Sequence, residues 1–171
     1  PGDPDPGSGD PDPGSGDRAL TPKVVGELSR QALAAREIRA GLARLKSTGS
    51  KVVYVPVDIR DSAAAAQALA EVVCEHGPVR GLIHGAGVLA DKLIADKTIE
   101  QFDAVLSTKL AGLRHVLSAL DLSALKVIAL FSSSTARLGR TGQSDYAMSN
   151  EALNKIAQLL ARRLAPCRVV S

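Results

Sequence analysis

Lys109, Ser133, Tyr146 and Asn150 are the residues whose types and spacing suit one reaction. Ser133 precedes Tyr146 by thirteen residues, and Asn150 follows it by four. The apolar run Lys-Val-Ile-Ala-Leu-Phe at 126–131 reads as a buried strand that ends in Ser132-Ser133-Ser134. A loop with Gly139 and Gly142 follows, and a helix opens near Ser144. Residues four apart share a helix face, so Tyr146 and Asn150 point the same way. A strand end that delivers a hydroxyl opposite a tyrosine on the next helix is a proton-donating site for a carbonyl oxygen.

The frame Ser132-Ser133…Gly139…Gly142-Gln143…Tyr146-Ala147…Asn150 resembles the ketoreductase domains of modular polyketide synthases and polyunsaturated fatty acid synthases. These belong to the short-chain dehydrogenase/reductase superfamily. Most of that superfamily has Lys four residues after the Tyr. The ketoreductase branch has Asn there, and its Lys lies on the preceding helix, twenty-four residues before the Ser. Lys109 stands at that distance from Ser133. The resemblance implies NADPH-dependent reduction of a 3-oxoacyl thioester to a 3-hydroxyacyl thioester. Tyr146 would give the proton, Ser133 would hold the oxygen, and Lys109 would assist the phenol and bind the nicotinamide ribose. Asn150 would order water or the lysine in a proton relay.

The resemblance also marks a cofactor set: Asp58 and Ile59, His84-Gly85-Ala86-Gly87, Lys109 and Tyr146. Asp58 ends a β-branched stretch, Lys51 to Val57, that reads as a strand. A carboxylate at such an edge is where parallel sheets bind ligands, and the family uses it on the adenine amino group. Asp61 reads instead as the cap of the next helix. His84-Gly85-Ala86-Gly87 follows a strand at Val79–Ile83 and is similar to the superfamily's Asn-Asn-Ala-Gly element, where glycine lets backbone approach the adenosine ribose. Read by itself, a histidine pinned at a strand end is a structural hydrogen-bonder. Leu89-Ala90-Asp91 keeps the last residue of a Leu-Asp-Asp pattern, and Leu138 stands where the opposite stereochemical class has Trp, so the resemblance implies a D (R) 3-hydroxy product.

Several elements must position these groups. Thr21-Pro22 reads as a helix start, with Leu28, Ala32, Ala35, Ile38, Leu42 and Leu45 in one stripe and Gly49 at the end. An Ala-rich helix spans Ser62 to Gly77. Thr98 to Gln101 is a capping box that opens the long helix bearing Lys109 among Phe102, Val105, Leu106, Leu110, Leu113 and Leu117. The last helix carries Leu153, Ile156, Leu160 and Leu164 inward and stops before Pro166, and a strand begins at Arg168. Strands alternating with helices predict an α/β fold, and the resemblance implies a Rossmann-like doubly wound parallel sheet.

Composition narrows the class. The chain is 45% hydrophobic with net charge +3, enough for one domain with a core. It has no run of about eighteen apolar residues, so a membrane span is not expected, nor is a signal peptide; a cytoplasmic protein is expected. Two Tyr, two Phe and no Trp, without a tight basic run, argue against nucleic acid. Cys74 and Cys167 have no metal-like spacing and read as reduced thiols. Residues 1–17 repeat Gly-Asp-Pro-Asp-Pro-Gly-Ser and read as a disordered linker. Residues 18–171 are then a partial reductase domain.

Nothing in residues 1–50 matches the Gly-rich loop that holds the pyrophosphate. The sheet is therefore expected to be incomplete, with the N-terminal nucleotide-binding βαβ unit and the C-terminal strands absent. The expected partners are a 3-oxoacyl group on an acyl carrier protein and the other domains of a synthase. The alternatives are a non-catalytic structural fragment of the same superfamily or degenerate gene product, and an unrelated binding module of the same layout. Residues 1–171 alone are predicted to show no ketoreduction; NADPH-dependent turnover of an acetoacetyl thioester by this polypeptide would contradict that.

Overall fold

Three short parallel strands form the floor on which the candidate site rests. They are β1 (Gly81–His84), β2 (Val127–Leu130) and β3 (Arg168–Val170), in the order β1-β2-β3. This is a computed structural model, and it describes residues 21–171; the linker expected at 1–17 lies outside the described residues. The chain divides into two compact units, one ending at Tyr54 and the other running from Val55 to Ser171.

In the first unit, α1 (Pro22–Ser47) starts as expected. The Thr21 hydroxyl accepts from the Val24 N–H at 3.3 Å, with Pro in the first turn. Gly49, at φ +81°, follows the helix end. The apolar stripe does not become core: α1 has no buried residue, and Leu28, Ile38 and Leu45 stay largely exposed. Among the described residues α1 is the one element of its unit, so the stripe has no packing partner there.

The strand expected over 51–57 does not form. In a doubly wound sheet ordered 3-2-1-4-5-6 the third and fourth strands in sequence are separated by two others, so a strand before β1 need not pair with it. β-branched residues favour an extended chain, but a strand exists only when its backbone finds a partner.

In the second unit, α2 (Ser62–His76) is capped by Asp61, whose Oδ1 accepts from the N–H groups of Ala63 and Ala64 at 2.9 and 3.0 Å. β1 leads through a loop into α3 (Ile99–Leu106). The expected Thr98–Gln101 capping box is present in both directions. α3 passes through a π-helical turn, Ser107–Ala111, into α4 (Gly112–Ser118). After β2, a short α5 (Thr135–Leu138) precedes α6 (Ser144–Arg163), which returns the chain to β3. The register Leu82↔Ile128 and His84↔Leu130 puts these four side chains on one face of the sheet. There Leu113, Leu125, Ile128, Leu130, Leu153, Ala157 and Cys167 form the core, with α6 packed on β2 and β3 and α2 packed on α4. The opposite face is open: Ile83 is 71% exposed, and Val127 and Val170 are exposed too. Parallel sheets are normally covered on both faces, so this is a doubly wound sheet in part, as the sequence predicts.

Gly112 lets α4 approach the chain before α2. A Cβ there would meet Ile59 Cδ1 at 2.6 Å and Cγ1 at 2.8 Å. Alanine in a helix gains about 1 kcal/mol over glycine, while overpacking costs about 1–3 kcal/mol. Gly112→Ala is therefore expected to lower stability in urea melts by up to about 2 kcal/mol. In an Ile59→Ala background the same change should reverse sign and stabilise by up to about 1 kcal/mol.

Candidate active site

The π-helical turn that carries Lys109 has a cause in the sequence. A regular helix would give the Ala104 carbonyl to the Thr108 N–H. Here that oxygen also accepts from the hydroxyls of Thr108 at 2.8 Å and Ser107 at 3.5 Å. Hydroxyls that compete for a backbone carbonyl loosen the ladder. The Gly112 N–H then reaches back to the Ser107 carbonyl, one residue further than in an α-helix. Lys109 is the buried residue of this turn.

Lys109 is 4% exposed. Its ammonium donates to the Phe131 carbonyl, at the end of β2, at 3.0 Å, and lies 5.6 Å from the centre of the Tyr146 ring. Burial pushes Lys109 below the ordinary lysine value. The backbone at Lys109 is fixed as well. The buried His84 ring donates from Nε2 to the Lys109 carbonyl at 2.9 Å; since a carbonyl only accepts, Nε2 carries the proton. His84 therefore anchors the π turn to the end of β1, and its ring does not line the cavity.

A cavity of about 270 Å³ lies beside these groups, lined by Gly85, Gly87, Val88, Leu89, Lys109, Phe131, Ser132 and Tyr146. A Cβ at Gly87 would approach Lys109 Cε at 3.2 Å and Nζ at 3.5 Å, so the lysine chain would have to shift by a few tenths of an ångström to admit it. Tyr146 and Asn150 do share a face of α6. Asn150 is fully buried; its Nδ2 donates to the Tyr146 carbonyl at 2.7 Å, and its Oδ1 is the one buried side-chain polar atom without a partner among the described residues. An acceptor left so costs about 1–3 kcal/mol and suits a water or an ammonium.

The serines divide their roles. Ser132 lines the cavity, but its hydroxyl donates to the Asn150 carbonyl at 3.1 Å. The Ser133 hydroxyl accepts from the Thr135 N–H at 3.2 Å, which leaves its own proton free. Ser133 lines an adjoining cleft of about 460 Å³ with Ser134, Asn154 and Ser171.

Other expected cofactor residues stand apart. Asp58 lies away from the cavity, in an exposed pair with Arg60 (Oδ2 to Nη2, 2.6 Å), and the Arg60 hydrogen bonds hold its carboxyl at about 2. Ile59 packs on Gly112, and its carbonyl accepts from His115 Nδ1 at 3.0 Å. Ala86 is half-buried and does not line the cavity. Three contacts escaped the sequence reading. Lys97 and Asp145 form an ion pair at 2.8 Å with side chains 4% and 1% exposed, Gln143 Nε2 donates to Asp91 at 2.6 Å, and the Lys92 N–H donates to the Gly142 carbonyl at 2.9 Å. No periodicity links such distant pairs. A separate groove of about 380 Å³ between α4 and α6 is lined mainly by Leu110, Leu113, Leu117, Leu122 and Ile156 and brings no acid–base pair together.

The open backbone at Gly85 and Gly87 beside the ammonium and phenol fits the ribose-nicotinamide end of a dinucleotide. No group of three or more His, Cys, Asp or Glu suited to a metal occurs among the described residues, and none of their helices is long and apolar enough to cross a membrane.

Comparison with known proteins identifies the family. The family model described as "KR domain" matches residues 19–171. A polyunsaturated fatty acid synthase component of Thraustochytrium sp. is 44% identical over 80% of this chain, and polyketide synthase PksN of Bacillus subtilis is 34% identical over 75%. The chain spans only 5% and 2% of those two proteins. Among solved structures, an N-terminal ketoreductase from the macrolactin assembly line superposes with a TM-score of 0.70 at 30% identity, over 77% of this chain and 27% of its own.

Burial holds His84 below the ordinary histidine value of about 6.5. As pH falls, the unfolded chain therefore takes the proton first. The stability is complete above about pH 6.5 and declines below it, towards the folded-state value. In urea unfolding between about pH 5 and 7, His84→Asn is expected to flatten that decline, which a single histidine can steepen by at most about 1.4 kcal/mol per pH unit.

Proposed function

Because the chain belongs to the KR-domain family, ketoreductases of the short-chain dehydrogenase/reductase superfamily, we propose that it carries the proton-delivering part of an NADPH-dependent 3-oxoacyl thioester reductase. The observation that carries this reading is the buried Lys109 ammonium beside the Tyr146 ring. The substrate is a 3-oxoacyl group on an acyl carrier protein, within a cytoplasmic polyketide or fatty acid synthase whose other domains are the partners.

When bound, the nicotinamide supplies the hydride. The protein's own residues manage the charge that appears on the ketone oxygen. Tyr146 donates the proton to that oxygen. Ser133, with its hydroxyl proton uncommitted, steadies the oxygen by a hydrogen bond as the charge grows. Lys109 stabilises the phenolate left behind; opposite unit charges about 4 Å apart attract by roughly 4 kcal/mol at an effective dielectric near 20. Burial makes the ammonium a readier donor, so it can return a proton to the phenolate. The unpartnered Asn150 Oδ1 accepts from the water or ammonium that closes the relay. Gly85 and Gly87 leave room for the ribose, with the Lys109 ammonium as its hydrogen-bond donor. Asp58 and Ile59 belong to the adenine end of this proposal, with Asp58 exposed and paired with Arg60.

The test uses a polypeptide that carries this chain within a complete reductase domain, assayed with an acetoacetyl thioester and NADPH or NADH. Tyr146→Phe is expected to lower kcat/KM by about 10²–10⁴-fold, and Ser133→Ala by about 10²-fold or more. Ser132→Ala, whose proton is engaged elsewhere, should cost much less. Retention of full activity by Tyr146→Phe would overturn the assignment.

A further inference from the structure

The buried ion pair next to the phenol has no part in the chemistry above. Lys97 lies in the loop before α3, Asp145 in the first turn of α6, and their side chains are 4% and 1% exposed. Asp145 uses both oxygens: Oδ2 accepts from Lys97 Nζ at 2.8 Å, and Oδ1 accepts from the Tyr146 N–H at 2.9 Å. Lys97 also reaches the Ala90 carbonyl at 2.5 Å, directly after Val88 and Leu89 of the cavity wall. Two contacts lie alongside, Gln143 to Asp91 and Lys92 to Gly142. The loop and the start of α6 are thus joined on both sides of one buried charge pair.

A buried ion pair seldom stabilises more than apolar residues of the same volume, because desolvation offsets the attraction. What it supplies is direction. One ammonium and one carboxylate, the first also held by the Ala90 carbonyl and the second by the Tyr146 N–H, favour one relative placement of the elements that bear them. Here those elements are the wall of the cavity and the residue before Tyr146. We propose that Lys97 and Asp145 are positioning residues for Tyr146. They fix the start of α6 against the 90–97 loop and so hold the phenol over Lys109. This rests on the reading of Tyr146 as the proton donor.

The test exploits the composition. The chain has two tyrosines and no tryptophan, so in a Tyr54→Phe background Tyr146 is the sole tyrosine. With ring-labelled tyrosine, one NMR signal reports its surroundings in the 171-residue chain. Lys109→Met in that background shows how the signal moves when the ammonium is gone. The decisive variant is the apolar double Lys97→Met with Asp145→Leu, which leaves no buried charge unpaired. It is expected to keep its melting temperature near that of the parent while the Tyr146 signal moves in the direction seen for Lys109→Met. A folded double variant with the signal at its parental position overturns the proposal, since the pair would then only fill space. If the double does not fold, the near-isosteric Asp145→Asn is read by the same two criteria. In the turnover assay, the double should lose about a hundredfold in kcat with KM little changed. The tyrosine signal is read without turnover, so this proposal and the reductase reading can fail separately.

Discussion

A cation held out of water against a backbone carbonyl and the face of a tyrosine is the constraint on which the second unit is built. An ammonium under a sheet edge is tolerable only if its environment is arranged for it. The arrangement begins in the helix, where two hydroxyls draw on the Ala104 carbonyl and open a π turn. It continues with His84, which fixes the backbone of that turn, and with the end of β2, which presents the Phe131 carbonyl. α6 then completes the enclosure by placing the Tyr146 ring within reach. Each contribution comes from a different segment, so the parallel register of β1 and β2 is itself a condition for the site.

The polar groups in this region are coupled by geometry rather than by number. Lys109, Asn150, His84, Lys97 and Asp145 are all shielded from solvent, in a chain whose α1 buries nothing. Their hydrogen bonds interlock: Ser132 on the Asn150 carbonyl, Asn150 on the Tyr146 carbonyl, Asp145 on the Tyr146 N–H. With one exception the buried side-chain polar atoms among the described residues are satisfied, and the exception, Asn150 Oδ1, lies within this network. In a low-dielectric interior an unmet acceptor is costly, and this one belongs to the amide that donates to the Tyr146 carbonyl.

The family and the partial α/β fold were readable from the sequence, for a definite reason. Lys109, Ser133, Tyr146 and Asn150 are separated by whole elements of fixed length, so their spacing survives as a signal. The caps at Thr21, Asp61 and Thr98 were readable because they depend on neighbours two to three residues away. Properties that need a remote partner were not. The 51–57 stretch has the residues of a strand but no pairing partner among the described residues, and the α1 stripe has the period of a core helix with no buried residue. Lys97 and Asp145, 48 residues apart, belong to patterns that look like ordinary surface charge until the fold brings them together. The uncommitted Ser133 proton likewise appears only once the Thr135 N–H is in place.

Gly87 has an implication for how such chains change over generations. Its backbone is not in the left-handed region that demands glycine, so an alanine there would leave the sheet and its ladder undisturbed. What it would occupy is the room beside the Lys109 side chain. An alanine would press the Lys109 side chain aside by a few tenths of an ångström, at the point where the proposed reading places the ammonium. Position 87 is thus a place where the surroundings of Lys109 can be altered while the side chains named in the proposal stay unchanged.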